Sequence, residues 1–505
     1  MSAAHHIFHD PSGRRRFVAK LFLLALAILL IALTYFAYDL FHRIPVMAVP
    51  DEFQDTTEEL RQQKQVKLSQ ELLSRSLQEL QKEVKETELL SKRQGGTASR
   101  DSQAARIWAL FEPGSENAFY SFRFNVERIT DLVMTTLTVG ASGDLFESDL
   151  HLVAQQQIKA TQALAQQHEV RIFGRITNDS PDGYSQQIIL NLIENPTAQQ
   201  QFMTEMLDWM QQHHNYSGLL LDFRSLSKET YFKLIPFFSE LRSYWSEHLQ
   251  KYELGIIFPG ATIEMPLWKF GSLFDVALMR AFGQNFERQS IGPVAASKWF
   301  ADAVQFALNN IPPYKLGVLF DNSAIDWKGT GEQVNYQERS FLSAMTLARD
   351  VAGSRSAAEV ILLDPTSLNN YFGYIDAENQ EHQVWFSDAV NAFNQYTLAE
   401  RAGLKHFGTF SLGIEDPGLW SFLAKDPSDV STRSGLSRIE FPFGIQFEGR
   451  GDILKPKAEL RPGSRNLHFD PKTGLISNSS YQKFPAAVIV DRQGYKPKTL
   501  ALTFD

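Results

Sequence analysis

Tyr216–Ser227 reads YSGLLLDFRSLS. The apolar run Gly218 to Leu221 ends at Asp222, and a polar segment follows. Such a run fits a strand buried on both faces, as in a parallel sheet. Alternate strand residues share a face, so Leu220, Asp222 and Arg224 are expected to point the same way. Outward from this stretch, similar runs recur: RIWALF (106–111), DLVMTTLTV (131–139), EVRIFGRI (169–176), ELGIIF (253–258), DVALM (275–279), KLGVLF (315–320), EVILL (359–363) and HFGTFSL (406–412). Amphipathic stretches such as Ala198–His214, Lys228–His248 and Pro293–Asn310 lie between them. Alternating β and α segments predict an α/β fold with a parallel sheet. About eight such units point to a (β/α)8 TIM-like barrel over 105–425, with function at the C-terminal ends of its strands. Periodicity alone does not separate a barrel from an open doubly wound sheet.

Several segments together resemble glycoside hydrolase family 18, the chitinase-like barrels. Tyr216–Ser227 resembles the family's fourth strand, which carries D-G-x-D-x-D-x-E. DVALMR resembles its sixth strand, ending in Met279. GPVAASKWFADAV and IPPYKLGVLFDNSAIDW resemble the run into its seventh strand, ending at Asp326 and Trp327. HQVWFSDAVNAFNQYTLAERAGLKHFGTFSLGIEDPGLW resembles the final helix and eighth strand. The resemblance implies a glycan site drawing on Asp222, Arg224, Met279, Asp326, Trp327, Phe410 and Glu415. It also implies a lost activity. Of the motif's last three acidic positions, Asp, Asp and Glu, the first is Leu220 here and the proton-donating Glu is Arg224; among those three only Asp222 keeps its identity. A guanidinium stays charged at every working pH and cannot deliver a proton. Met279 is followed by Arg280, Ala281 and Phe282 instead of x-Tyr-Asp, and Phe410 stands where the family has a floor Trp.

The rest of the chain carries its own signals. It has 505 residues, no cysteine and a net charge of −9. Disulfides, thiol catalysis and cysteine-bound zinc are thereby excluded. Arg14, Arg15, Arg16 and Lys20 against Asp10 give residues 1–20 a net of +3, leaving −12 for the remainder, which disfavours a nucleic-acid partner. Leu21–Tyr38 holds no charge and is long enough to cross a bilayer. With basic residues before it and Asp51, Glu52 and Asp55 after it, residues 21–41 read as a single-pass signal anchor. The N-terminus is then cytoplasmic, and the barrel lies beyond the bacterial inner (cytoplasmic) membrane, in the periplasm or extracellular space. Residues 42–104 read as a helical stalk and linker. Val66, Leu73, Leu77, Leu80 and Val84 form a short apolar seam, suited to a homodimer or to a plain spacer.

Residues 426–505 are rich in Gly, Pro and short β runs and read as a β-rich segment. The closing KTLALTFD resembles the opening strand of polysaccharide deacetylases, K-x-[VLI]-A-L-T-F-D-D-G-P. That resemblance implies a general-base role for Asp505 in a longer chain, and a divalent metal for the deacetylase. No cofactor is expected for the chain as given: no metal-ligand spacing, GxGxxG, Walker or G-x-S-x-G pattern occurs in it. The leading expectation is an anchored extracytoplasmic protein of N-acetylhexosamine polysaccharide synthesis or modification. Its barrel binds glycan without cutting it, within a larger deacetylase/glycosyltransferase. Two alternatives stay open: an active family 18-type glycosidase using another acid such as Glu112 or Glu415, and a non-catalytic scaffold.

Overall fold

Eight parallel strands close on themselves: β1 (Arg106–Leu110), β2 (Asp131–Val139), β3 (Arg171–Thr177), β4 (Tyr216–Asp222), β5 (Glu253–Pro259), β6 (Val276–Arg280), β7 (Leu316–Phe320) and β8 (His406–Thr409). β1 pairs with both β2 and β8, so the sheet has no open edge there. The computed structural model describes residues 105–494, except 114, 148–151, 261–264, 286–289, 330–333, 424–429, 443–444, 450–452 and 459. Every described residue belongs to a single compact unit. The expected anchor at 21–41, the stalk and Asp505 lie outside the described residues. Among the described residues, no helix is long and apolar enough to cross a membrane.

Alternation along the strands builds two layers. Trp108, Leu110, Val133, Phe173, Leu220, Leu278 and Leu319 form one buried cluster that fills the barrel. Their neighbours, among them Leu219, Leu221, Met279 and Val318, belong to a second cluster shared with the surrounding helices. Those helices include Pro196–Gln212 and Lys228–His248, capped by the Asn195 and Ser227 side chains, which accept from backbone N–H groups of the first turn. At the N-terminal end of the strands, Arg106 and Arg171 both bridge Asp131, which is fully buried, and Glu253, which is partly exposed, at 2.6–2.9 Å. A cavity of about 590 Å³ lies beside this ring, lined by Arg106, Asp275 and Lys315 among others.

Between β7 and the helix Ala389–Arg401 the chain inserts an antiparallel five-stranded sheet. Its strands run, in spatial order, Asn335–Arg339, Ala324–Lys328, Glu381–Phe386, Asn370–Ile375 and Leu362–Leu363. The expected strand at 359–363 is therefore corrected. Ala357–Val360 is a helical turn, nucleated by a capping box in which Ser356 and Glu359 satisfy each other's backbone N–H groups. Only Leu362–Leu363 is extended, and it belongs to the insertion.

The residues after 430 add two small three-stranded sheets. Arg465 locks this region to the barrel. Its side chain is fully buried, and its Nη1 donates to Asp388 at 3.0 Å and to Asp416 at 2.6 Å. Asp388 caps the helix Ala389–Arg401, and Asp416 caps the 3-10 turn Pro417–Ser421. The Asp416-Pro417 pair thus begins a helical turn, with the aspartate as cap and the proline in the first turn.

Candidate functional site

The inward-facing register of the strands continues past the apolar layer into a polar one. On β3, Phe173 is followed two residues on by Arg175; on β4, Leu220 by Asp222; on β6, Leu278 by Arg280. All three polar residues sit at the C-terminal ends of their strands. Arg224, two residues beyond Asp222, completes the group.

Asp222 is fully buried and forms the centre. Its Oδ2 accepts from Arg224 Nε at 3.0 Å and Arg224 Nη2 at 2.6 Å. Arg175 Nη1 lies 3.6 Å from the same oxygen. Arg280 Nε lies 3.9 Å from Oδ1, beyond hydrogen-bond reach. Among the described residues, Asp222 Oδ1 and Arg280 Nε are both buried without a hydrogen bond. Burial works to raise the Asp222 pKa, but Arg224, then Arg280 and Arg175, outweigh it and hold the carboxyl below its ordinary range. Burial likewise works against the Arg224 cation, and Asp222 more than restores it. Arg280 is shifted the other way, down, by burial and by repulsion from Arg224.

The surroundings fix these groups. The Arg224 guanidinium lies 4.7 Å from the ring of Tyr184 and 4.7 Å from that of Phe410. Phe282 packs on Phe410 with ring centroids 5.5 Å apart. Asn178 pins the backbone of Arg224 from both sides: its Oδ1 accepts from the Arg224 N–H at 2.8 Å, and its Nδ2 donates to the Arg224 carbonyl at 2.9 Å. Glu112, half-exposed beyond β1, pairs with Arg175 at 2.8 Å.

The structure thus brings together Asp222, Arg224 and Phe410. The other residues expected at the site lie elsewhere. Met279 faces outward into the helix layer and is fully buried, because the inward positions of β6 are Val276, Leu278 and Arg280. Trp327 offers no stacking face. It is 1% exposed, packed with Val294 and Ile325 in the insertion, and its Nε1 donates to the Gly292 carbonyl. Asp326, on the opposite face of that strand, accepts from Arg339 and Tyr374 and pairs with His382 at 2.7 Å. Glu415 is sealed among Ser121, Trp420 Nε1 and the Gly413 N–H, and burial raises its pKa.

Three further residues emerge only from the fold. Arg175 and Arg280 carry a period-2 signal, each lying two positions after an apolar inward residue. Asp321 follows β7 directly; it accepts from the Ser323 N–H and hydroxyl at 2.8 Å, and burial pushes its carboxyl up to about 7. The charge of Glu338 adds to that upward push. Among the described residues no cluster of His, Asp and Glu could hold a metal ion.

This architecture is a closed (β/α)8 barrel, and its fold is similar to those of solved chitinases and cortex-lytic enzymes. A chitinase from Chromobacterium violaceum superposes with a TM-score of 0.55 at 17% identity, over 66% of this chain and 99% of that one. The spore cortex-lytic enzyme SleL of Bacillus cereus gives a TM-score of 0.54 at 20% identity, over 64% of this chain and 74% of that one. In sequence, the cortical fragment-lytic enzyme of Bacillus cereus is 22% identical over 263 residues, 50% of this chain. The chain spans only 59–60% of the length of the curated relatives it matches first. No protein-family profile matches it. At these identities the likeness establishes the fold.

Proposed function

We propose that the barrel binds an N-acetylhexosamine glycan without hydrolysing it. The observation that carries this reading is the Arg224–Asp222 pair. A general acid must hold a proton near neutral pH and give it up in the transition state. Asp222 is ionised, and Arg224 stays cationic. The fold shared with a chitinase and with cortex-lytic enzymes supports a glycan as the partner. Tyr184, Phe282 and Phe410, all half-buried around the arginines, offer ring surface for a sugar.

The charge-flanked apolar run Leu21–Tyr38 supports an inner-membrane anchor with the barrel outside the cytoplasm. Protease added to spheroplasts is expected to digest the barrel; a protected barrel refutes that topology. The resemblance of Lys498–Asp505 to a deacetylase opening strand supports a place in polysaccharide modification.

The glycan reading is tested on the full chain, because Arg465 and the clusters around it tie residues beyond 430 into the barrel. N-acetylglucosamine oligomers are expected to bind weakly and to yield no shorter products over long incubation. Arg224→Ala is expected to weaken binding, since it removes donors and strands the Asp222 charge. Product release by the unmodified chain overturns the proposal. It favours a second reading, a glycosidase with an unusual acid, for which Asp321 is a candidate: it follows a barrel strand, and burial pushes its carboxyl up to about 7.

A further inference from the structure

We propose that the barrel mouth recognises a carboxylate on its glycan, that is, an acidic sugar, with Arg280 as the principal anion-binding residue. This rests on the glycan reading above and specifies the substrate class.

The argument is one of charge and hydrogen bonds. Arg175, Arg224 and Arg280 converge on one buried carboxylate, Asp222. Two further carboxylates sit at the rim. Glu112 has its side chain 43% exposed and is engaged with Arg175, and Asp179 is exposed to solvent. Among the described residues, three guanidiniums therefore converge on one ionised carboxylate; the other buried carboxyl at a strand end, Asp321, is held by Ser323 and pushed up to about 7 by burial. Buried cations are costly unless paired. Arg224 is paired through two hydrogen bonds, and Arg175 has Glu112. Arg280 has neither. Its side chain is only 14% exposed, its Nε is buried with no acceptor among the described residues, and its nearest carboxylate oxygen is 3.9 Å away.

A water molecule bridging Arg280 to Asp222 Oδ1 satisfies hydrogen bonds but leaves the surplus charge in place. An anion removes both deficits. A carboxylate matches the planar fork of an arginine, and such charge-assisted bonds are the strong ones. The lowered proton affinity of Arg280 agrees with an under-compensated cation. The flanking rings of Phe410, Phe282 and Tyr184 add apolar surface for the sugar that carries the acid.

The test uses the full chain and four probes in titration calorimetry: tetragalacturonate, with its carboxylate on the ring; the N-acetylglucosamine–N-acetylmuramic acid disaccharide, with its carboxylate on an ether arm; and the neutral tetramer and dimer of N-acetylglucosamine as their size-matched controls. At least one acidic probe is expected to bind about tenfold or more tighter than its control, with affinity falling as salt rises. Arg280→Met is expected to weaken the acidic probe about tenfold to a hundredfold and the neutral ones by clearly less, so that the gap between each acidic probe and its control narrows. The two acidic probes distinguish where on the sugar the carboxylate sits. If Arg280→Met does not fold, the same contrast is read on the unmodified chain as a rise in melting temperature with the acidic probe and not with its control. Equal binding of acidic and neutral probes, or acidic binding indifferent to Arg280, overturns this inference and leaves the glycan reading intact. Binding of none of them overturns both.

Discussion

Asp222→Asn is the sharpest perturbation of the barrel mouth, because it keeps the shape of the side chain and removes only its charge. In the native chain that carboxylate is fully buried, holds Arg224 at 2.6 Å and has Arg175 and Arg280 within 4 Å. Removing one partner of a buried ion pair costs roughly 3–5 kcal/mol, because the other is left uncompensated. The described part of the chain has on the order of 390 residues, which at about 2.1 cal/mol/K per residue gives an unfolding entropy near 0.8 kcal/mol/K. The expected fall in melting temperature is therefore about 4–6 °C. The sign with pH follows from the direction of the Asp222 shift. Its carboxyl is held below the ordinary range in the fold. Its stabilising contribution is therefore complete above the unfolded value, about 4, and is lost only as pH falls through the lower folded value. Urea unfolding of the native chain and of Asp222→Asn should show a constant gap from pH 5 to 8. A variant as stable as the native chain at pH 7, or a gap that changes across that window, refutes the idea that Asp222 is the counter-ion of this group.

Asp321 behaves in the opposite sense. Its folded pKa is raised to about 7, so the native chain loses stability as pH climbs from about 4 to 7, by up to ~4 kcal/mol, and no further above that. Asp321→Asn should match the native chain near pH 4 and exceed it at pH 8; an equal gap in urea midpoints at both pH values counts against a buried, protonated Asp321. Trp327→Ala should cost about 3–5 kcal/mol, as core tryptophans do, while leaving the affinity of the folded protein for N-acetylglucosamine oligomers unchanged. A stable variant with weakened binding would restore Trp327 to the site.

The barrel was legible because its strands are short apolar runs, each ending in a polar residue or a turn, a pattern that survives without any knowledge of the fold. β2 and the helix Lys228–His248 match their sequence readings to the residue. The Asp222–Arg224 pair was legible from the period of two alone. The misplacement of Met279 is a register matter. Inward and outward residues differ by one position, and both Leu278 and Met279 are apolar, so composition does not tell which faces the lumen. The insertion was not legible for a different reason. Trp327 and Asp326 sit on opposite faces of a strand whose partners, Tyr374, His382 and Arg339, come from up to 56 residues away. Only the pairing of those strands reveals that Asp326 is a buried acceptor and Trp327 a core residue.

The electrostatics of the mouth also predict that one substitution, Arg224→Glu, will not by itself create a general acid there. Arg224→Glu places a second carboxylate beside Asp222 and removes the cation that forms both of its hydrogen bonds. Arg175 and Arg280 remain, and two cations beside two carboxylates favour the ionised form of each acid. The new Glu is then held as a carboxylate, whereas a general acid needs a pKa raised toward the working pH. Proton donation requires that the charge of β3 and β6 change together with that of β4. Arg175 and Arg280 on two strands, each two residues beyond the apolar layer, and Arg224 just past the end of a third make the positive mouth a property of the barrel end as a whole, and an anionic ligand is the partner that such a surface is proposed to stabilise.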